Sequence, residues 1–396
     1  MNKIDEEALE LHSVNKGKIE ITPKVKIKNL KDLALLYTPG VAAVSKEIAK
    51  NKDLAYKYTM KSNTVAIVTD GSAVLGLGNI GGYAAIPVME GKAVLFKEFA
   101  GIDAFPIIFE DYHTDFIEDI KNIAPIFGAI NLEDIAAPKC FEVEEKLQGI
   151  GIPVMHDDQW GTAVVVLAGL INSLKVIGKD WEKIRVVISG AGAAGIAIAK
   201  LILMYKKNLG DMIICDSKGI IYHGRENLNK YKISLAKKTN KNKIKGSISD
   251  AMRGADVFIG VSKGGIITES MVNSMAKDAI VFALANPIPE IMPELAKSAG
   301  ARIVCSGRSD YPNQINNVLA FPGIFRGVLD SCSHTINNEM KIAAALALAD
   351  IVKKPSSEIV IPDPLNYKTP HIIAAAVKKA ALNTGCGRKL LSETIK

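Results

Sequence analysis

IRVVISGAGAAGIAIAKLILMYKK, residues 184–207, decides the fold. An apolar run rich in valine and isoleucine reads as a buried strand, and the stretch from Ala193 onward reads as a helix. Between them stands G-x-G-x-x-G on Gly190, Gly192 and Gly195. Gly190 allows a tight turn, Gly192 lets the backbone approach a pyrophosphate, and Gly195 permits close packing of helix on strand. The backbone from Gly190 through Ala191, Gly192, Ala193 and Ala194 to Gly195 then cradles phosphate at a helix N-terminus with free amides and a favourable dipole. The ordinary structural alternative is a tight turn without a ligand. Asp216, which ends the following strand, lies about where a ribose-reading acid is expected and favours the dinucleotide. An acid there leans toward NAD, because it repels a 2′-phosphate, but Ser217 and Lys218 beside it keep NADP open.

The block after residue 184 continues the alternation. DMIICDS, ADVFIGVS, AIVFALANP and ARIVCSG read as strands among helical stretches, and the chain returns to helix from FPGIFRGVLD onward. A second alternating block precedes it, with strands TVAIVTD (64–70), AFPIIFE (104–110), AINLED (129–134) and IPVMHDD (152–158). Such patterns imply parallel sheets covered by helices. The expected fold is α/β: an N-terminal α/β domain with a parallel sheet at 1–160, and a Rossmann-type doubly wound domain with C-terminal helices at 161–396. GTAVVVLAGLINSLKVIG (161–178) reads as a buried helix between them, and residues 1–60 as mostly helical.

Composition narrows the class. The chain has 396 residues, nearly half hydrophobic, enough for two large cores. No apolar stretch is expected to span a bilayer, and the opening MNKIDEEALELH is too polar for a signal peptide. Five scattered cysteines argue for reduced thiols and a cytoplasmic setting. The net charge of +7 comes from dispersed lysines without a basic, aromatic patch, so nucleic acid is not an expected partner. No arginine precedes Arg185. An anion held by the N-terminal half must therefore be gripped by lysine, amides, hydroxyls or a metal.

The chemistry concentrates at strand ends. INLED (130–134) and HDDQWGT (156–162) place Glu133, Asp134, Asp157 and Asp158 after consecutive strands. If these strands lie side by side, the acids repel one another unless a proton or cation sits among them. With no cysteine or histidine pair at ligand spacing, Mg²⁺ or Mn²⁺ is the expected occupant. The bland reading of Glu133–Asp134 is helix capping, and Glu110–Asp111 is a rival pair of the same local appearance. His156 reads as a packed histidine. Lys92, in EGKAVLFKEFAGID (90–103), is a candidate base if burial lowers its pKa, or else a lysine that snorkels to solvent. Tyr37 in YTPGVA, taken alone, is an aromatic before a turn. Asn286, Asn316 and Asn317 follow strand ends, where ligands of doubly wound sheets bind.

Taken in order, YTPGVA, TDGSAVLGLGNIG, EGKAVLFKEFAGID, INLEDI, HDDQWGT, GAGAAG, ANPIPE and NNVLAFPGIFRG resemble malic enzymes of the short bacterial type over nearly the whole length. The resemblance implies oxidative decarboxylation of malate to pyruvate and CO₂ with NAD or NADP and Mg²⁺ or Mn²⁺, and oxaloacetate decarboxylation as a secondary activity. It also implies a homodimer or larger assembly, with active sites either shared between subunits or confined to one. By position, Lys92 matches the general base, Tyr37 the general acid, and Asp157 an acid that assists the lysine. Glu133, Asp134 and Asp158 match the metal ligands, in preference to Glu110–Asp111, and Asn286 and Asn317 match substrate-contacting amides. Ala73 stands where animal-type members carry a malate-binding arginine, leaving Ser72 and nearby amides for the carboxylate. Trp160 replaces the more usual His or Ile. A malolactic-type enzyme, releasing lactate, and a non-catalytic dinucleotide-binding protein are the alternatives.

Overall fold

A computed structural model describes residues 3–74, 76–110 and 115–388. Its first sheet contains β1 (Thr64–Thr69), β2 (Asp103–Ile108), β3 (Ala129–Leu132) and β4 (Val154–His156). They are all parallel, in the order β2-β1-β3-β4. The second sheet contains β5 (Arg185–Ser189), β6 (Asp211–Asp216), β7 (Gly219–Ile220), β8 (Val257–Gly260), β9 (Ile280–Ala283) and β10 (Ile303–Ser306). Its order is β10-β9-β8-β5-β6-β7, parallel except for the β6–β7 hairpin. The short strand β7 had no counterpart in the sequence pattern. The order reverses beside β5, which places the glycine-rich turn at the crevice where doubly wound sheets bind ligands.

The two sheets share one core. The Asp157–Ile177 helix leaves β4 and is buried along most of its length, so nearly every face of it is apolar. At 21 residues it is long and apolar enough to cross a membrane, which corrects the expectation that no stretch reaches that length. Here protein surrounds it in place of lipid, and it joins the sheets.

The C-terminal helices Phe321–Asp330 and Thr369–Asn383 pack on each other and back onto the Gly81–Ala100 helix of the first sheet. Phe96 meets Phe321 and Phe325 edge-on at centroid distances of 4.8 and 5.3 Å. Edge-on contact suits the ring quadrupoles and adds to the area buried.

The N-terminal segment behaves differently. Its helices Lys3–Asn15, Leu30–Leu36 and Val41–Lys50 contain no buried residue, although the segment is rich in leucine, isoleucine and valine.

Candidate active site

Strand register assembles the acids. Leu132 on β3 pairs with His156 on β4, so the next residues, Glu133 and Asp157, emerge side by side at the carboxyl edge. Asp134 adopts a left-handed backbone (φ 53°), which aspartate tolerates better than most residues. Its amide donates to Asp158 Oδ2 at 2.9 Å. One carboxylate oxygen from each of Glu133, Asp134 and Asp158 falls within 4.8 Å of the others. Asp134 Oδ2 is buried and accepts no hydrogen bond. Three converging hard oxygen donors, one of them orphaned, fit Mg²⁺ or Mn²⁺ and nothing softer.

Lys92 reaches this cluster from the Gly81–Ala100 helix and is only 7% exposed. Its Nζ donates to Glu133 Oε1 at 2.9 Å and to Asp157 Oδ2, and sits 4.0 Å above the Phe321 ring. Burial alone would lower the lysine pKa, but Asp157, Glu133 and Asp158 outweigh it and the net shift is upward. The expected downward shift is therefore reversed, because three acids remote in sequence surround the ammonium.

Each acid is pushed the other way by burial. Asp157 rises to about 8 and Asp134 to about 9, and Glu133 and Asp158 also rise. Like charges 4 Å apart repel by about 4 kcal/mol even at an effective dielectric near 20, so the cluster calls for a cation or shared protons.

The surroundings hold these groups in place. Asn317, at the start of a short 3₁₀ turn, donates its amide to Asp157 Oδ2 at 2.7 Å. Ser72 Oγ accepts from the Ala136 amide at 2.8 Å, and the Ala73 amide donates to the Asp134 carbonyl at 2.9 Å. The glycine-rich loop after β1 is thereby laced to the loop that carries Glu133 and Asp134. That loop also abuts the second sheet: a Cβ on Gly76 would lie 3.4 Å from Pro287 Cδ and 3.6 Å from the Asn286 carbonyl. Asn286 thus borders the crevice between the sheets, whereas Asn316 spends its side chain capping the Val318 amide.

The rival acid has another task. Glu110 Oε2 accepts from the Tyr83 amide at 2.9 Å and so caps the first turn of the Gly81–Ala100 helix, while Asp111 lies outside the described residues. His156 is wholly buried with neither ring nitrogen hydrogen-bonded, its Nε2 lies 3.8 Å from Asp158 Oδ2, and burial lowers its pKa. Trp160 donates Nε1 to Glu144 at 3.0 Å and lies beneath Lys341 Nζ, 3.4 Å from the ring centre.

Two residues escaped the sequence reading. Asn131 donates to Glu133 Oε2 at 2.8 Å, and Asp70 accepts from Lys139 Nζ at 3.3 Å and from the Ser72 amide. A polar residue inside the apolar run AINLED was the available signal for Asn131.

Tyr37 stands apart. It caps the C-terminus of the Leu30–Leu36 helix and is 68% exposed, and among the described residues no hydrogen bond joins it to the carboxylates.

On the second sheet the three glycines do different work. Gly190 has φ +113°, and a Cβ there would strike the Val261 carbonyl at 2.5 Å. A Cβ on Gly195 would come within 1.9 Å of the Gly190 carbonyl, whereas Gly192 faces open space. Ala193 and Ala194 open the Ala193–Tyr205 helix, and Ala191 lies in the turn. Asp216 does end β6, but its carboxylate is held by Arg225 and Lys232.

The family described as malic enzyme, N-terminal domain, matches residues 16–115, and malic enzyme, NAD binding domain, matches residues 160–382. The bifunctional malic/malolactic enzyme of Bacillus subtilis (strain 168) is 57% identical over 388 residues, covering 97% of this chain and 94% of its own. The NAD-dependent malic enzyme of Geobacillus stearothermophilus is 54% identical over 377 residues, 94% of this chain and 78% of its own. The crystal structure of malic enzyme from Pyrococcus horikoshii Ot3 superposes with a TM-score of 0.93 at 49% identity, across 99% of this chain and 95% of that one. With both malic enzyme domains matched and relatives more than half identical over nearly its whole length, the chain belongs to the malic enzyme family.

Proposed function

We propose that the chain oxidises (S)-malate with a nicotinamide dinucleotide and releases pyruvate and CO₂, and that it decarboxylates oxaloacetate as a secondary activity. The observation that carries this reading is a buried lysine in contact with Glu133 of a metal-competent carboxylate cluster and with the neighbouring Asp157. Residues up to about 160 serve substrate and metal, and residues 161–396 serve the dinucleotide.

Glu133, Asp134 and Asp158 would hold Mg²⁺ or Mn²⁺. When both are bound, the cation supplies positive charge beside the substrate's oxygens and the nicotinamide accepts hydride from C2. Lys92 takes the proton of the C2 hydroxyl and must be neutral to do so. Committing Glu133 and Asp158 elsewhere removes two of the three charges that hold its proton. Burial then works against the ammonium, and an ionised Asp157, already in contact, receives the proton. Asn317 keeps Asp157 aimed at Nζ. Loss of the C4 carboxylate leaves an enolate, and Tyr37 returns a proton to its C3. Ser72 Oγ accepts from Ala136 and keeps its own hydrogen free to donate to a malate carboxylate, and the Asn286 and Asn317 amides are further donors to the substrate. This arrangement stands in for the arginine replaced by Ala73.

Tyr37 can act only if something brings it to the acids. The unburied N-terminal segment supports a homodimer in which Tyr37 of one subunit completes the site of the other. Five free cysteines support a reducing, cytoplasmic setting.

The test is steady-state formation of reduced cofactor and pyruvate from malate and Mn²⁺, with Lys92→Ala as the control. No turnover with either dinucleotide would remove the reading. One observation favours a second reading: the name of the Bacillus subtilis relative pairs malic with malolactic activity. The same residues then yield lactate while the cofactor is reoxidised in place. Free reduced cofactor equal to the CO₂ released excludes that reading, and lactate without it supports it.

A further inference from the structure

The carboxylate of Asp216 has no acceptor capacity left for a ribose. Its Oδ1 accepts from Arg225 Nη2 at 2.7 Å and from the Lys218 amide at 3.0 Å. Its Oδ2 accepts from the same guanidinium at 2.6 Å and from Lys232 Nζ at 2.7 Å. An ionised carboxylate offers about four lone-pair sites, and the protein already fills them. Burial by itself would raise the Asp216 pKa, but Arg225, Lys232 and the Lys218 amide bring it below the ordinary range, so the group is ionised and paired. A lone acid at this strand end would read ribose hydroxyls and repel a 2′-phosphate. This acid instead holds two cations, Arg225 and Lys232, and with Arg225 it lines a cavity of about 1020 Å³ that runs from Ser189 past the end of β6. Lys218 and Lys245 also line the cavity, and the carboxylates there are Asp216 and Glu226.

We infer that the strand end is built for a 2′-phosphorylated adenosine: Arg225 and Lys232 take the phosphate, Asp216 positions them, and NADP⁺ is the preferred oxidant. A dianionic phosphate takes the donors that Asp216 holds in place without using, the remaining Lys232 ammonium hydrogens and Arg225 Nε, and Lys218 and Lys245 add to the attraction. The assignment rests on the dinucleotide reading of the cavity and reverses the lean toward NAD that an acid at this position suggests from sequence.

The test uses the full chain, without malate or metal. Calorimetry compares adenosine 2′,5′-bisphosphate with adenosine 5′-monophosphate, and kinetics then compares kcat/KM for NADP⁺ and NAD⁺. The bisphosphate should bind at least about tenfold tighter, the worth of one charge-assisted hydrogen bond or more. Lys232→Ala and Arg225→Lys should each cut that preference by about tenfold, with a parallel fall in the NADP⁺/NAD⁺ ratio. Arg225→Lys is chosen over alanine because Arg225 also donates to the Gly219 and Ile220 carbonyls.

Asp216→Asn gives the decisive sign. A positioning acid predicts weaker bisphosphate binding in that variant, whereas a repelling acid predicts tighter binding. Equal affinity for the two nucleotides, or a gain in Asp216→Asn, overturns the inference. Malate oxidation with NAD⁺ that persists in that case leaves the activity standing. Conversely, bisphosphate preference without malate turnover keeps the phosphate site and removes the activity.

Discussion

Lys92 and the acids around it are where single atoms decide the outcome. Lys92→Ala should lower kcat by roughly two to four decades, the usual scale for a positioned acid–base group, and turnover near that of the parent would remove its role. Tyr37→Phe should impair decarboxylation and the return of the proton more than it impairs reduction of oxaloacetate. Equal loss of both partial reactions contradicts the assignment. The raised carboxyls give a pH prediction with a definite sign. Asp134 (about 9) and Asp157 (about 8) hold protons in the folded, metal-free chain that an unfolded chain loses near pH 4. The folded state therefore binds more protons between those limits, and the metal-free protein loses stability as pH rises from about 4 to 9. Cation binding needs the ionised acids, so it displaces those protons and strengthens across the same window. The rise in Tm on adding Mn²⁺ should be larger at about pH 8.5 than at about pH 6. An equal rise at both would mean that these acids are already ionised without metal.

At the scale of elements, the glycine-rich turn separates folding from binding. Gly195→Ala drives a methyl into the Gly190 carbonyl, 1.9 Å from where Cβ would stand, and should cost at least about 3 kcal/mol by urea unfolding. Gly192→Ala meets open space at an ordinary φ of −93°, so stability should change by under about 1 kcal/mol. Its methyl instead fills the approach to the phosphates, and dinucleotide affinity should fall. Similar stability losses in the two variants would refute this division. The strands were readable because period-two and continuous apolar runs are local signals: TVAIVTD, AINLED and IPVMHDD all contain strands. β7 was not, since two residues carry no periodicity. The buried Asp157–Ile177 helix was readable as an element, but its composition alone does not distinguish a protein core from a lipid environment.

Across the whole molecule, the N-terminal segment has no core of its own. Ile21 is 82% and Leu30 83% exposed, and Leu35 and Tyr37 also face outward. The homodimer proposed above would cover exposed apolar side chains of this kind. Mixing Tyr37→Phe with Lys92→Ala, with each variant's residual turnover subtracted, tests whether sites are shared. If Tyr37 acts across the interface, half of the dimers are hybrids with one intact site of two, and roughly a quarter of parental activity returns. No recovery after exchange, with hybrid dimers demonstrated by mass, places Tyr37 in its own subunit's site.

The residue string determined the two alternating blocks, the glycine turn and the acids at strand ends, because each is written in neighbouring residues and short-range sterics. Tertiary structure alone decided which acids meet, that Lys92 is charged rather than neutral among them, and that Asp216 is already paired. Those properties depend on charges from β3, the Gly81–Ala100 helix and the start of the Asp157–Ile177 helix, or from β6 and the residues after β7, at separations of 2.6 to 2.9 Å. Such charges lie far apart along the chain, and Coulomb energy depends on distance in space.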